Sequence, residues 1–162
     1  MADRPHLDLS DYLPYLVNRV GAGFVAGYEK DLAEHGLSIA MWRVLAALST
    51  GDKHRQIDVS EITSIDVSTI SRLITRLVNL GLVSRTRSDT NNREVNVELT
   101  AKGRMLVNRL IPRARDLEDE AVAGIPAADL AITRETLRPM YHNMTADIGG
   151  AGDRGAKLAK SG

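Results

Sequence analysis

Apolar residues recur three or four positions apart through most of the chain. Leu13, Leu16, Val17, Val20, Phe24, Tyr28 and Leu32 form one continuous stripe, the spacing of a long helix that ends near His35-Gly36. Ser10 stands where its N-cap is wanted, and Pro14 falls early enough to be tolerated. Gly21, Gly23 and Gly27 lower intrinsic helicity by up to ~1 kcal/mol each, so close approach by another helix is the expected compensation. Ser38 is placed to cap a second helix with Met41, Val44, Leu45 and Leu48 inward, stopped by a Thr50-Gly51 turn. A short third helix is predicted from about Gln56 to Thr63.

The next segment has the clearest pattern. Asp66 is an N-cap candidate, Ile70, Leu73, Ile74, Leu77 and Leu80 form the inward stripe, and Gly81 stands where a left-handed residue ends a helix. Its other face is polar: Ser68, Thr69, Ser71, Arg72, Thr75, Arg76 and Asn79. Leu82 to Arg87 and Arg93 to Leu99 then read as two strands around the polar tip SDTNN, with Val95, Val97 and Leu99 alternating. Thr100 opens another helix, with Leu106, Leu110, Ala114, Leu117 and Ala121 inward and a kink expected at Pro112. Gly124-Ile125-Pro126 breaks it, and Leu130, Thr133, Leu137, Met140 and Met144 space a last helix. From Asp147 the chain is rich in glycine and small residues and is expected to be a disordered tail. There is no internal repeat. The fold class is therefore mainly α with a small β-hairpin.

Composition narrows the chemistry. The 162 residues are 43% hydrophobic and 26% charged, as expected of one soluble domain, and no apolar run approaches the ~18 residues of a membrane span. The first ten residues have neither a basic nor an apolar signal region, which points to the cytoplasm. The absence of cysteine excludes disulfides, thiolate metal sites and thiol chemistry. His6, His35, His54 and His142 never pair at helical ligand spacing, so no metal site is expected. The acidic run from Asp116 to Glu120 points to several helix faces, as a solvated surface does. No catalytic nucleophile, carboxylate pair or phosphate loop is present, so neither an enzyme nor a cofactor is expected.

Net charge is zero, yet its distribution is uneven. Residues 1–66 carry 6 basic and 10 acidic side chains, residues 67–104 carry 7 basic and 3 acidic, and residues 105–162 carry 8 of each. A polyanion would dock on the basic middle. The order helix, helix, Thr63-Ser64-Ile65 turn, amphipathic helix and basic hairpin is that of a winged helix-turn-helix, in which the second helix of the motif puts its N-terminal polar residues into the major groove. Ser68, Thr69, Ser71, Arg72, Thr75 and Arg76 on that helix, with Arg87, Asn91 and Arg93 on the hairpin, are the candidate DNA contacts. A winged-helix module for protein interaction is the alternative. It would carry aliphatic or aromatic anchors on the exposed helix face, where this sequence has Ser, Thr and Arg.

The run LVNLGLVSRTRSDTNNREVNVELTAKG, with GLV, an Arg two residues on, an Arg at the hairpin tip and LT..G after it, together with LSIAMWRVLAAL, resembles the MarR family of bacterial transcription factors over about residues 13–144. The resemblance implies a homodimer whose first and last two helices interlock, two winged lobes that read a palindromic double-stranded operator, and a repressor released by a small molecule. Residues 1–36 would then be an N-terminal dimerisation helix, 37–100 the DNA-binding lobe, 101–146 the C-terminal dimerisation helices and 147–162 the tail. Dimerisation also follows from the stripes themselves, since a lobe of about residues 40–100 cannot cover the apolar faces of three long helices. The wing departs from the family pattern Asp-x-Arg: here Asn91-Asn92-Arg93 stands in its place, with Asp89 displaced. Strict alternation puts Arg93 on the side of Val95 and Val97, so the tip must twist for it to reach DNA. For the effector, the resemblance implies a cleft between dimerisation helices and lobe. Tyr12, Tyr15, Asn18 and Arg19, with Trp42 and Arg43, are the candidate lining, and an aromatic wall with an arginine suits an aromatic acid or its thioester.

Overall fold

The computed structural model describes residues 7–51, 53–87 and 95–149. Six helices and a three-stranded sheet follow in the order α1 (Leu13–Ala33), α2 (Ile39–Leu48), β1 (His54–Arg55), α3 (Gln56–Thr63), α4 (Val67–Asn79), β2 (Val83–Arg87), β3 (Val95–Leu99), α5 (Ala101–Ala121) and α6 (Ala127–Gly149). The chain divides into two compact units, Met1–Asp119 and Glu120–Gly162. The first holds α1 to α4, the sheet and nearly all of α5; the second holds the end of α5 and α6.

The first unit is built on one core. Leu32 of α1, Met41, Leu45 and Leu48 of α2, Val59 of α3, Ile70, Ile74 and Leu77 of α4, Val97 of β3 and Val107 of α5 are almost wholly removed from water, each worth roughly 1.5–3 kcal/mol of transfer free energy. Leu80 is left out of it. As the C-cap of α4 it is 38% exposed, so the inward stripe ends at Leu77. Gly81 takes up the left-handed conformation (φ 70°), and the Leu82 amide closes the helix on the Leu77 carbonyl at 3.0 Å.

Local structure differs from expectation at several points. Ser10 does not cap α1: the helix begins at Leu13 after Tyr12, with a proline in its first turn, and the Ser10 amide and hydroxyl both donate back to Asp8 Oδ1 at 2.8 and 2.6 Å. Of the three α1 glycines, only Gly27 meets a neighbour among the described residues, its Cβ position falling against the Leu117 side chain of α5. The helix through Pro112 is unbroken from Ala101 to Ala121. Helix α6 runs past Asp147 to Gly149, beyond the predicted start of the tail.

The sheet is antiparallel with β3 in the centre. Its register pairs Val83 with Leu99 and Arg87 with Val95 on one side, and His54 with Val97 on the other. The wing tip, including Asn91 and Arg93, lies outside the described residues. No helix among the described residues is long and apolar enough to cross a membrane.

Candidate nucleic-acid interface

Helices α3 and α4 are joined by a tight turn whose geometry is fixed by side chains. Ser64 ends α3 in the left-handed region (φ 55°), a conformation that disfavours most non-glycine residues. It is held there because Ser60 Oγ, inside the turn, donates to the Ile65 carbonyl at 2.6 Å, while Thr63 Oγ1 donates to Val59 O at 2.6 Å. Arg55 and Asp58 close the other end of α3 through Nε and Nη2 bonds of 2.9 and 2.6 Å, and hydrogen bonding from Arg55 holds the Asp58 carboxyl below its ordinary range.

Asp66 begins α4. Its Oδ1 accepts from Ser68 Oγ at 2.6 Å and from the Thr69 amide at 2.9 Å. The Ser68 hydroxyl first, then the Thr69 amide, drives its pKa far below the usual carboxylate range, so Asp66 is ionised at the positive end of the helix throughout the physiological range. One turn on, Arg72 Nη2 donates to Thr69 Oγ1 at 3.0 Å. Ser68, Arg72, Thr75 and Arg76 are exposed, and Thr69 and Ser71 half-buried. The six α4 candidates thus share one helix and one accessible side, and Arg87 is exposed at the end of β2.

Arg85, two residues before Arg87 and on the same face of the strand, was not singled out from the sequence. Its Nη2 donates to Ser71 O at 3.2 Å and lies 3.5 Å from both Thr75 Oγ1 and Gln56 Oε1. It therefore ties the wing strand to α4 and α3 and adds a cation to the face already carrying Arg72, Arg76 and Arg87. The period-2 spacing of Arg85 and Arg87 was the available signal.

A cleft of about 360 Å³ opens elsewhere in the first unit, lined by Gly21, Phe24, Val25 and Tyr28 of α1, Ile39, Trp42 and Arg43 of α2, and Ala114 and Leu117 of α5. Of the expected effector residues it brings together Trp42 and Arg43. Tyr12, Tyr15 and Arg19 do not line it: they lie toward the start of α1, where the Arg19 guanidinium stands over the Tyr15 ring at 5.7 Å. The aromatic residues of this cleft are Phe24, Tyr28 and Trp42, the last two meeting edge to face at 5.3 Å. Tyr28 also donates its hydroxyl to the Leu110 carbonyl of α5 at 2.7 Å, and Arg113 of α5 pairs with Asp31 of α1 at 3.0 Å.

Burial, reinforced by the Asp31 charge, pushes the Tyr28 phenol up to about 12. Its folded-state value lies above the unfolded value near 10, so its contribution is complete below pH ~10 and is lost as pH rises through about 12. Tyr28→Phe is expected to lose about 1 kcal/mol of stability at neutral pH, the deficit vanishing across that alkaline window. Urea unfolding of both proteins as a function of pH measures it, and a deficit that is constant to the highest pH would refute the assignment.

Similarity to known proteins agrees with this geometry. The family model described as Transcriptional regulator SarA/Rot matches residues 27–110. The crystal structure of a MarR-family transcriptional regulator from Silicibacter pomeroyi shares 33% identity and superposes with a TM-score of 0.77, covering 86% of this chain and 96% of that one. The chain belongs to the MarR family of transcriptional regulators. Among other relatives of this MarR-family chain, the HTH-type transcriptional repressor IacR of Pseudomonas putida is 25% identical over 134 residues, 83% of this chain and 80% of its own. Bordetella bronchiseptica BpsR, whose DNA binding is regulated by 6-hydroxynicotinic acid, is 27% identical with a TM-score of 0.76, over 85% of this chain and 98% of its own.

Within the MarR frame, the motif LT..G acquires a physical basis. Thr100 Oγ1 accepts from the Gly103 amide at 3.0 Å and donates to Gly81 O at 2.7 Å, fastening the start of α5 to the end of α4. Among the described residues no group of three or more potential ligands is placed to hold a metal ion.

Proposed function

We propose that this chain is a ligand-responsive repressor, acting in the cytoplasm, that binds a pseudo-palindromic operator as a homodimer and is released by an aromatic acid or its thioester. The observation that carries the DNA reading is the α4 face: a capped N-terminus, a row of hydroxyls and guanidiniums, and Arg85 and Arg87 beside it on β2. Ser68, Thr69, Ser71, Arg72, Thr75 and Arg76 approach base edges and phosphates in the major groove, while Arg87 and the wing residues Asn91 and Arg93 follow the backbone and the adjacent minor groove. Homodimerisation is supported by apolar residues left in water on α1 (Leu13, Leu16, Val17, Val20) and on α6 (Ile132, Leu137, Tyr141, Met144), each 39–75% exposed.

The effector reading rests on the cleft. Its three aromatic rings offer flat apolar contact and Arg43 offers a bidentate partner for a carboxylate; BpsR, whose DNA binding is regulated by 6-hydroxynicotinic acid, is a relative of the same fold. A two-fold dimer must present its α4 helices about 34–36 Å apart to meet successive major grooves. A ligand wedged among α1, α2 and α5 stabilises a different spacing and so competes with DNA without covering α4.

Linkage makes this testable. A coupling of about 1–3 kcal/mol weakens operator binding roughly 5–150-fold and must weaken effector binding by the same factor on DNA. Trp42, the single tryptophan, reports the cleft directly. A panel of aromatic acids and their coenzyme A thioesters is titrated into the protein on its own upstream DNA, first by Trp42 fluorescence and then by calorimetry with and without DNA. Equal effector affinity in the two states would leave a constitutive DNA-binding protein in place of a ligand switch.

A further inference from the structure

We propose that Val67 is a specificity-determining residue, reading one thymine in each half-site through the 5-methyl group of the base. The inference rests on the reading above that α4 enters the major groove. Val67 is the first residue of α4 and continues the row of Ile70, Ile74 and Leu77, yet that row runs out of core at the first turn and leaves Val67 44% exposed. Side chains on a helix lean toward its N-terminus, so the isopropyl group projects past the end of α4 that a helix-turn-helix presents to base edges.

Two hydroxyls beside it are already oriented by bonds within the helix. Ser68 Oγ gives its proton to Asp66 Oδ1 at 2.6 Å, and Thr69 Oγ1 receives Arg72 Nη2 at 3.0 Å. The Asp66 carboxylate also repels phosphate from this tip, so the tip addresses base edges and not the backbone. An aliphatic group held there finds one apolar complement in the major groove, the thymine methyl, since the other exposed edges are hydrogen-bonding atoms.

The test begins by selecting an operator from random duplex DNA with the full-length protein. Each thymine of the selected site is then replaced, in symmetric pairs, by deoxyuridine, which removes the methyl group alone. Wild type is expected to lose affinity at one pair, about fourfold per methyl and about 15-fold for the two. Val67→Ala should bind the thymine and uracil operators alike, and Val67→Ile, which keeps the branched methyl, should retain the penalty; circular dichroism of both variants reports folding. A penalty that persists in Val67→Ala, or no penalty at any pair, overturns the inference while the DNA-binding reading stands. If selection enriches no sequence, that reading falls and the inference falls with it.

Discussion

Gly103→Ala is expected to lose about 3 kcal/mol or more of folding stability, at the severe end of what overpacking costs. A Cβ at this position is driven into the Leu82 carbonyl oxygen, with the Leu82 carbonyl carbon at 3.0 Å and its Cα at 3.4 Å. The obstruction is backbone, so no rotamer change relieves it. Nor is that backbone free to retreat. Leu82 O accepts from the Thr100 amide at 3.1 Å, Thr100 Oγ1 donates to Gly81 O, and Lys102 Nζ donates to Leu80 O at 2.8 Å. Leu82 itself is 3% exposed. Relief requires the start of α5 to move off the α4–β2 junction, breaking that set of bonds and opening the core at Val107. Gly23→Ala, where no described atom lies within 4 Å of the new methyl, is the control. Urea unfolding at fixed protein concentration, needed because the stability of the proposed dimer would depend on it, compares the two. A loss at Gly103 of no more than the control's would mean that the junction is pliable.

The same junction shows what the sequence makes legible. Period, cap and breaker identify α4 because each is local: Asp66 bonds within three residues, and Gly81 takes the positive φ that its position demands. Strand β1 had no such signal. His54-Arg55 is too short to alternate and exists as a strand only through its pairing with Val97 and Asn96, which is set by the rest of the fold. Ser10 lies two residues before the N-cap, Tyr12, and turns back to Asp8 in a local bond that the helical period does not foretell. The candidate effector residues divide by geometry. Tyr12, Tyr15 and Arg19 are near one another in sequence, whereas Gly21, Phe24, Val25 and Tyr28 share the face of α1 that meets α2, a grouping that follows from helical pitch once the facing helix is known. The Tyr28 bond to Leu110 spans 82 residues, beyond any local pattern.

Arg72→Ala is expected to relax base preference at one symmetric pair of operator positions, weakening each half-site by about 1–3 kcal/mol for the lost bidentate guanine contact. The geometry favours a base over a phosphate as its target. Arg72 is exposed on the α4 face, and its Nη2 is held against Thr69 Oγ1, which draws the guanidinium toward the N-terminal end of the helix, where base edges are met. The remaining N–H groups of the fork stay available, with part of the ordering cost already met inside the free protein. Arg72→Lys separates charge from shape, because an ammonium keeps the charge and loses the planar fork; it should bind with near wild-type salt dependence and poor discrimination. Thr69→Val should have a smaller effect in the same direction, since it removes the restraint on Arg72 and one hydroxyl of the α4 face while leaving the guanidinium in place. Selection from random DNA at two salt concentrations measures all three. A loss that is uniform over sequences, recovered by lysine and accompanied by a shallower salt slope, would make Arg72 a phosphate contact and move base readout to the other residues of the α4 face.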